Sequence, residues 1–377
     1  MGPRVAYWNN IPAPYVVDRF DAVATRGNID FEAWFSYRTE PDRSWEVDES
    51  TWRFPHRFLP TVRFRGRTVP FPAPLAGRDP PQLLVSLYGW PWFVVGWWLA
   101  RRRGARVAWE CEVTSDAWVR RTVSKEKAKH HLFPRLDGVI AMGEEGAAYA
   151  RRYGADPARM VFVPHSFDVR HFAEGRSSAL PRRSAIRAAL ALRGTTFLYV
   201  GRLWAGKGLD VLLDAFGLLQ RSTAETVSLL LVGDGQDETH LRKRCRDEGL
   251  ENVVFAGFRQ KRDLPDLYAA SDVFVFPTLG DPYGLVVEEA MASSLPVIAS
   301  SAAGEIRSRI EDGANGYIVP PHAPAELSER MRLLLDGELR LRLGASGADR
   351  VAGRTPEAWA ETFEGAVERI MSRPRVR

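Results

Sequence analysis

Asp281 and Glu289 place two carboxylates on either side of a chain break made by Pro282 and Gly284. The apolar run over residues 272–277 reads as a buried strand, and from Leu285 the residues are strong helix formers. The stretch is therefore a strand, a short turn and a helix whose first turn starts near Gly284. A helix N-terminus offers free N–H groups and a positive dipole end, which suit a phosphate or a sugar hydroxyl. A carboxylate accepts hydrogen bonds from the hydroxyls of a sugar ring or a ribose. Earlier in the chain, Arg202 and Lys207 sit in the glycine-rich loop 201–208. A cationic pair beside such a βα turn suits phosphate charge. Together these residues suggest a sugar nucleotide. Two further carboxylates, Glu110 and Glu112, end an apolar strand at 106–109. The carboxyl end of a parallel strand is where α/β sheets bind ligands, although an ion pair with nearby arginines explains them about as well.

The elements that must position these residues run in a βα rhythm, twice. Strands are expected at 4–8, 30–37, 82–86, 106–109, 138–142 and 160–164, with helices at 16–24, 91–103 and 144–153. Residues 38–82 read as short strands and surface loops. Residues 166–193 read as a linker ending in a basic helix. The rhythm then restarts, with strands at 196–200, 227–232, 253–255, 272–277, 296–300 and 316–319. Helices are expected at 209–219, 240–247, 264–270, 325–335 and 356–371. This gives an α/β chain of two halves with a ligand cleft expected between them. Its parts are an N-terminal domain over 1–165, a linker over 166–193 and a second domain over 194–355.

The chain has 377 residues, a net charge of +5 and ordinary hydrophobic and charged fractions of 45% and 26%. That is a globular composition with room for about two domains. The pI near 9.3 is mild and suits an anionic substrate or membrane surface. Cys111 and Cys245 are the two cysteines, without a CxxC spacing, so neither a disulfide framework nor a zinc site is expected. A reducing cytoplasm is the expected location. Residues 1–8 lack the pattern of a signal peptide, and no stretch reaches the roughly 18 apolar residues of a membrane span. The tryptophan- and arginine-rich stretch 90–103 reads first as a core-facing helix. Its second reading is a helix on a membrane surface, which would put the protein on the inner face of the membrane. No GxGxxG follows either first strand, which disfavours an NAD-dependent enzyme.

Several blocks occur in one order: Gly201-Arg202-Leu203 with Lys207-Gly208, Val232-Gly233-Asp234-Gly235, Gly257-Phe258, Asp281 to Glu289 with Glu289-Ala290-Met291-Ala292, and Pro296-Val297-Ile298-Ala299. Over roughly residues 160–340 this resembles the family-four retaining glycosyltransferases of GT-B fold. Residues 10–15 also resemble the opening of some bacterial members. The resemblance implies two Rossmann-like domains facing a cleft, with the C-terminal helix crossing back to the N-terminal domain. It implies that Arg202 and Lys207 hold a donor diphosphate, with Gly201, Gly233, Gly284, Leu285 and Val286 around the donor. Phe258 and Arg259 would frame the base, and Glu289 would accept the ribose hydroxyls. Asp281 would contact the transferred sugar at a position where most members carry Glu, and Tyr283 stands where Phe is common. Glu112 would be the N-domain contact near the reacting centre, with Glu110 as its alternate, and Asn10, Pro14 and Tyr15 would lie on the acceptor side. His165, where the family often has Asn, reads as a hinge or core histidine.

The expected activity is retaining transfer of a hexose or N-acetylhexosamine from a nucleotide-diphosphate sugar to an acceptor hydroxyl. UDP is the first expectation for the nucleotide and GDP the second. The chain has no Asp-x-Asp metal motif, which fits a metal-independent GT-B enzyme without a cofactor. In a front-face mechanism the leaving phosphate oxygen takes the acceptor proton, and the protein supplies position and charge. The acceptor would be a glycan, a lipid-linked sugar or a natural product, and no nucleic-acid partner is expected. Two other readings compete. One is a sugar-nucleotide epimerase of the same fold, opposed by the Asp281 to Glu289 motif. The other is a non-catalytic, membrane-associated partner in glycan assembly, opposed by the intact motifs.

Overall fold

The computed structural model describes residues 2–40, 45–64, 67–77, 79–87, 92–112 and 122–376. Residues 90–91 of the tryptophan-rich stretch and parts of 38–82 lie outside that set. The described chain divides into two units, one of residues 2–167 with 354–376 and the other of 168–353.

The first unit is built on seven parallel strands in the order β3-β2-β1-β6-β7-β8-β9. They are β1 (Arg4–Asn9), β2 (Asp30–Phe35), β3 (His56–Phe58), β6 (Leu83–Leu87), β7 (Arg106–Cys111), β8 (Gly138–Ala141) and β9 (Met160–Phe162). An antiparallel pair, β4 (Thr61–Phe64) and β5 (Arg67–Pro70), lies in the insertion between β3 and β6. Strands covered on both faces read as apolar runs rather than as alternating ones, and β6 and β8 do so. Four helices follow strands: α1 (Pro14–Arg26), α2 (Trp92–Arg102), α3 (Val123–Leu132) and α4 (Glu144–Arg152). One face of the sheet packs against α1 and the C-terminal helix Pro356–Ser372, which belongs to this unit. Tyr7 meets Phe363 at 5.6 Å between ring centroids, and Arg26 Nε donates to Glu364 at 2.9 Å. The opposite face packs under α2, α3 and α4 through Phe93, Leu132 and Tyr149.

The second unit carries six parallel strands in the order β12-β11-β10-β13-β14-β15. These are β10 (Thr195–Val200), β11 (Val227–Val232), β12 (Val253–Gly257), β13 (Val273–Phe276), β14 (Val297–Ser300) and β15 (Gly316–Val319). Its helices are α5 (Val169–Ala179), α6 (Arg183–Ala189), α7 (Leu209–Ser222), α8 (Glu238–Asp247), α9 (Leu264–Ala270), α10 (Val286–Ala292), α11 (Ile306–Arg309), α12 (Pro324–Leu333) and α13 (Gly337–Val351). Both sheets are parallel and doubly wound, so the α/β expectation of two Rossmann-like domains holds. In each, the strand order reverses beside the first strand, at β1/β6 and at β10/β13. Ligands of such sheets bind outside the carboxyl ends of the strands at that reversal.

Two expectations need correction. Residues 166–193 are not a loose linker. Asp168 caps α5 by accepting the His171 N–H at 3.1 Å, and Phe172 packs edge-on against Tyr268 of α9 at 5.7 Å. The segment's arginines bind toward the sheet. Arg183 and Arg187 both pair with Asp272, at 2.8 and 3.4 Å. Second, α3 and α13 are helices where none was expected. As expected, α10 starts just after Gly284, at Val286 with Leu285 flanking it, and Gly284 is held at φ 76°. Among the described residues no helix is long and apolar enough to cross a membrane.

Candidate functional site

In the second unit the loops after β10, β11 and β12 are zipped together by main-chain hydrogen bonds. Gly201 donates to Val232 at 2.9 Å, Gly233 to Gly257 at 2.9 Å and Leu203 to Asp234 at 2.7 Å. Gly233 sits at φ 138°, and a Cβ there would run into the Gly201 carbonyl. Glycine is thus required where two loop backbones touch. Gly208, at φ 69°, begins α7, and a Cβ on it would meet the Pro277 carbonyl. The loop that carries Arg202 and Lys207 is thereby packed on the end of β13. Leu279 N–H donates to Gly206 at 3.0 Å and the Thr278 hydroxyl to the same carbonyl at 3.2 Å.

This packing brings Lys207 to Asp281. The ammonium and the carboxylate form a hydrogen-bonded ion pair, with side chains 15% and 12% exposed. The other Asp281 oxygen accepts the Tyr283 N–H at 2.9 Å. Burial pushes the Asp281 pKa up, but the Lys207 ammonium, its hydrogen bond and the Tyr283 N–H more than offset this, so the net direction is down. Asp281 is therefore an anion at neutral pH. Arg202 is partly exposed one loop position after Gly201, its guanidinium 5.6 Å from the Trp204 ring centroid. Beneath it the buried Tyr199 hydroxyl donates to the Arg202 carbonyl at 2.9 Å.

The turn after Asp281 is held from below by Arg309, which is 1% exposed. Its guanidinium donates to the carbonyls of Tyr283, of Gly284 at 3.2 Å and of Gly304 at 2.8 Å. It also lies 4.2 Å from the Tyr283 ring centroid. Tyr283 itself is 5% exposed and donates its hydroxyl to Glu288 at 2.9 Å. Its side chain is thus part of the scaffold. Glu289, on α10, accepts the Tyr268 hydroxyl at 3.1 Å. Burial raises the Glu289 pKa to about 7, against the opposing hydrogen bond from Tyr268 and the charge of Lys261. Phe258 and Arg259 lie beyond β12, the edge strand. Arg259 is exposed and donates to the Phe258 carbonyl at 3.0 Å. The structure thus gathers Gly201, Arg202, Lys207, Gly233, Asp281, Gly284 and Leu285 at the β10/β13 reversal. Phe258 and Arg259 directly follow Gly257, whose carbonyl accepts the Gly233 N–H of that set at 2.9 Å.

In the first unit Glu110 lies on β7 and Glu112 just past its end, two residues on. Glu112 Oε1 is 3.2 Å from His165 Nε2, and His165 is 4% exposed just after β9. The Tyr15 ring meets the His165 ring at 6.0 Å. Glu110 is 1% exposed, and among the described residues Arg19 Nη1 of α1 stands 3.9 Å from it. The Arg19 guanidinium lies 5.1 Å from the Tyr15 ring and 5.3 Å from the Trp359 ring. His165 therefore has a carboxylate partner as well as a buried position. Asn10 is turned elsewhere, with Nδ2 donating to Glu40 at 2.8 Å, and Pro14 opens α1 as its first residue.

Sequence reasoning missed Arg19, Trp359, Tyr268, Lys261 and Arg309. Arg19 did leave a signal: it falls among Val16, Phe20 and Val23, the buried stripe of α1, where an arginine needs a partner. Arg309 left none, because its partners are carbonyls that any sequence supplies.

The family model for glycosyl transferases group 1 matches residues 194–337. Among curated relatives, the D-inositol 3-phosphate glycosyltransferase of Nocardia farcinica is 31% identical over 256 residues, 65% of this chain and 55% of that protein. The mannosylfructose-phosphate synthase of Agrobacterium fabrum is 30% identical over 218 residues, 55% of this chain and 47% of that protein. The chain spans about half the length of these relatives. Solved structures match nearly end to end. HepE of Anabaena, in complex with UDP and glucose, has a TM-score of 0.77 at 18% identity, covering 97% of this chain and 99% of that one. The sucrose-phosphate synthase of Thermosynechococcus elongatus has a TM-score of 0.78 at 21% identity, covering 98% and 99%. The fold is that of the GT-B glycosyltransferases.

Proposed function

We propose that this chain, which belongs to the glycosyl transferases group 1 family through residues 194–337, moves a hexose or N-acetylhexosamine from a nucleotide-diphosphate sugar to an acceptor hydroxyl. The observation that carries the reading is the Lys207–Asp281 pair at the β10/β13 reversal, beside the partly exposed Arg202. A cation next to a carboxylate matches the two ends of a sugar diphosphate, one anionic and one rich in hydroxyls. Arg202 and Lys207 meet the departing diphosphate, Asp281 the transferred sugar, and Glu289 the ribose.

In this reading transfer proceeds with retention and without a metal or cofactor. The leaving phosphate oxygen takes the acceptor proton, and the protein contributes charge and position. A UDP-sugar is the first donor to test, because HepE was solved with UDP and glucose; a GDP-sugar is the second. The acceptor belongs to the first unit, on the side of Tyr15 and Glu112. Lipid-linked acceptors remain part of the reading through α2. There Trp98 is 47% exposed with the Arg102 guanidinium 4.2 Å from its ring. Arg101 and Arg103 offer less to a lipid surface. Arg101 pairs with Asp137 at 3.7 Å, and Arg103 donates to the Gly77 carbonyl.

Thermal unfolding with UDP, GDP and ADP tests the reading directly. A ligand at about 100 times its Kd adds roughly 2.7 kcal/mol of stability. UDP is expected to raise Tm, and a UDP-sugar to be consumed only with an acceptor present. No shift with any nucleotide overturns the proposal, and interconversion of two sugars without acceptor replaces it with an epimerase.

A further inference from the structure

The Glu110 carboxyl is the least explained group in the first unit. It is 1% exposed, and among the described residues neither of its oxygens accepts a hydrogen bond. Arg19 Nη1 stands 3.9 Å away, too far for an N–H···O hydrogen bond. A carboxylate stripped of water and of hydrogen bonds is costly in a protein interior, and a loose ion pair does not repay that cost. Among the described residues, the charged and titratable groups around it are Arg19 and Tyr15 from α1, Glu112 from just past its own strand and His165 from the loop after β9. Its strand neighbours, Leu87 and Ile140, are apolar.

Glu112 is different in each respect. Its side chain is 26% exposed and it has an imidazole partner at 3.2 Å. Two carboxylates at one site do not both ionise readily, because each raises the cost of the other's charge. Burial first, then the charge of Glu112, pushes the Glu110 pKa well up. Burial also raises Glu112, but there the Arg19 charge opposes the shift. The Arg19 charge keeps a partner in either case, since it lies over the faces of Tyr15 and Trp359.

We propose that Glu110 is a positioning residue that holds the single proton of the Glu110–Glu112 pair as a neutral carboxylic acid, so that Glu112 alone carries the negative charge beside His165. The inference rests on the reading of the first unit as the side of the transferase where Glu112 meets the reacting sugar. A carboxylate of fixed charge and reach there stabilises positive charge that develops on the sugar during transfer. A second anion two residues away would compete for His165 and Arg19 and let Glu112 swing.

The test compares Glu110→Ala, Glu110→Gln and the wild-type protein. Glutamine copies the shape of the neutral acid. Glu110→Ala is expected to lower kcat/KM by about tenfold or more through lost positioning, and Glu110→Gln to recover most of it. Wild-type activity should fall at alkaline pH as Glu110 ionises, and that fall should be absent in Glu110→Gln. Infrared spectra at neutral pH supply a readout without substrate: the wild-type minus Glu110→Gln difference shows the carbonyl band of a buried protonated carboxyl, while the band of Glu289, present in both proteins, cancels. Absence of that band from the difference spectrum overturns the proposal, as does a Glu110→Gln enzyme as poor as Glu110→Ala. If wild type transfers no sugar but shows the band, the functional reading fails while the buried proton stands.

Discussion

Lys207 and Asp281 lie 74 residues apart in sequence and share an ion pair at the point where the strand order of the second sheet reverses. The pair couples the loop after β10 to the turn after β13. Lys207→Ala leaves the Asp281 carboxylate without its cation. We expect turnover to fall about 100-fold, the scale of losing one charge-stabilising group. We also expect a loss of about 1–3 kcal/mol in stability. Adding Asp281→Asn should restore part of that stability and none of the turnover. A double-mutant cycle by thermal unfolding reads the coupling, and strictly additive effects would count against the pair.

Asp281→Glu separates the two jobs of the turn. The longer side chain keeps its charge but moves the carboxylate by one methylene relative to Tyr283 N–H and Lys207. Competition between donor sugars should shift, while UDP affinity changes little. Equal losses in sugar preference and in UDP binding would refute the division of roles.

Glu289 predicts a pH dependence. Its pKa is raised from 4.5 to about 7 by burial. For an acid raised on folding, the unfolded chain ionises first, so stability falls as pH rises from about 4.5 to about 7 and the cost persists above that window. Ribose hydroxyls donate to the ionised form. UDP affinity should therefore rise as pH passes upward through about 7. Glu289→Gln should bind UDP weakly with a flat profile and be relatively more stable than wild type on the alkaline side. Calorimetric titration on both sides of neutrality checks this, and an unaltered slope in Glu289→Gln would remove Glu289 from the ribose.

Arg309→Lys keeps the charge but loses the planar fork that reaches the Tyr283, Gly284 and Gly304 carbonyls. Stability should drop by about 2–3 kcal/mol, because carbonyls in a buried site lose their donors. UDP affinity should fall with it, since the same carbonyls shape the turn. A variant with wild-type Tm would show that the turn does not depend on Arg309.

Gly208→Ala puts a methyl group against the Pro277 carbonyl at φ 69°. The expected cost is about 2 kcal/mol or more, with Lys207 displaced from Asp281. Unfolding and UDP titration of this variant read both effects, and a neutral outcome would mean that the loop has room to move.

Much of this molecule was legible in the chain alone. Apolar runs of four to six residues between helical stretches announced two parallel sheets, because strands buried on both faces carry no polar face. Glycines marked where backbones had to meet, and the ordered blocks around Arg202, Lys207, Asp281 and Glu289 marked one site in the second half. Partnership was what the chain could not encode locally. The arginine-rich segment 166–193 looked like a linker because its anion, Asp272, arrives from far along the chain, just before β13. His165 looked like a hinge or core histidine because its carboxylate, Glu112, comes from the end of a different strand, β7. Arg19, Glu110 and Trp359 come from α1, β7 and the C-terminal helix, and only their packing on one face of one sheet turns three ordinary residues into a buried charge cluster. The sequence set which elements form and which ends carry chemistry, since these follow from periodicity and backbone sterics over a few residues. The tertiary structure decided which charges neutralise each other, since a charge's state depends on its burial and on neighbours hundreds of residues away.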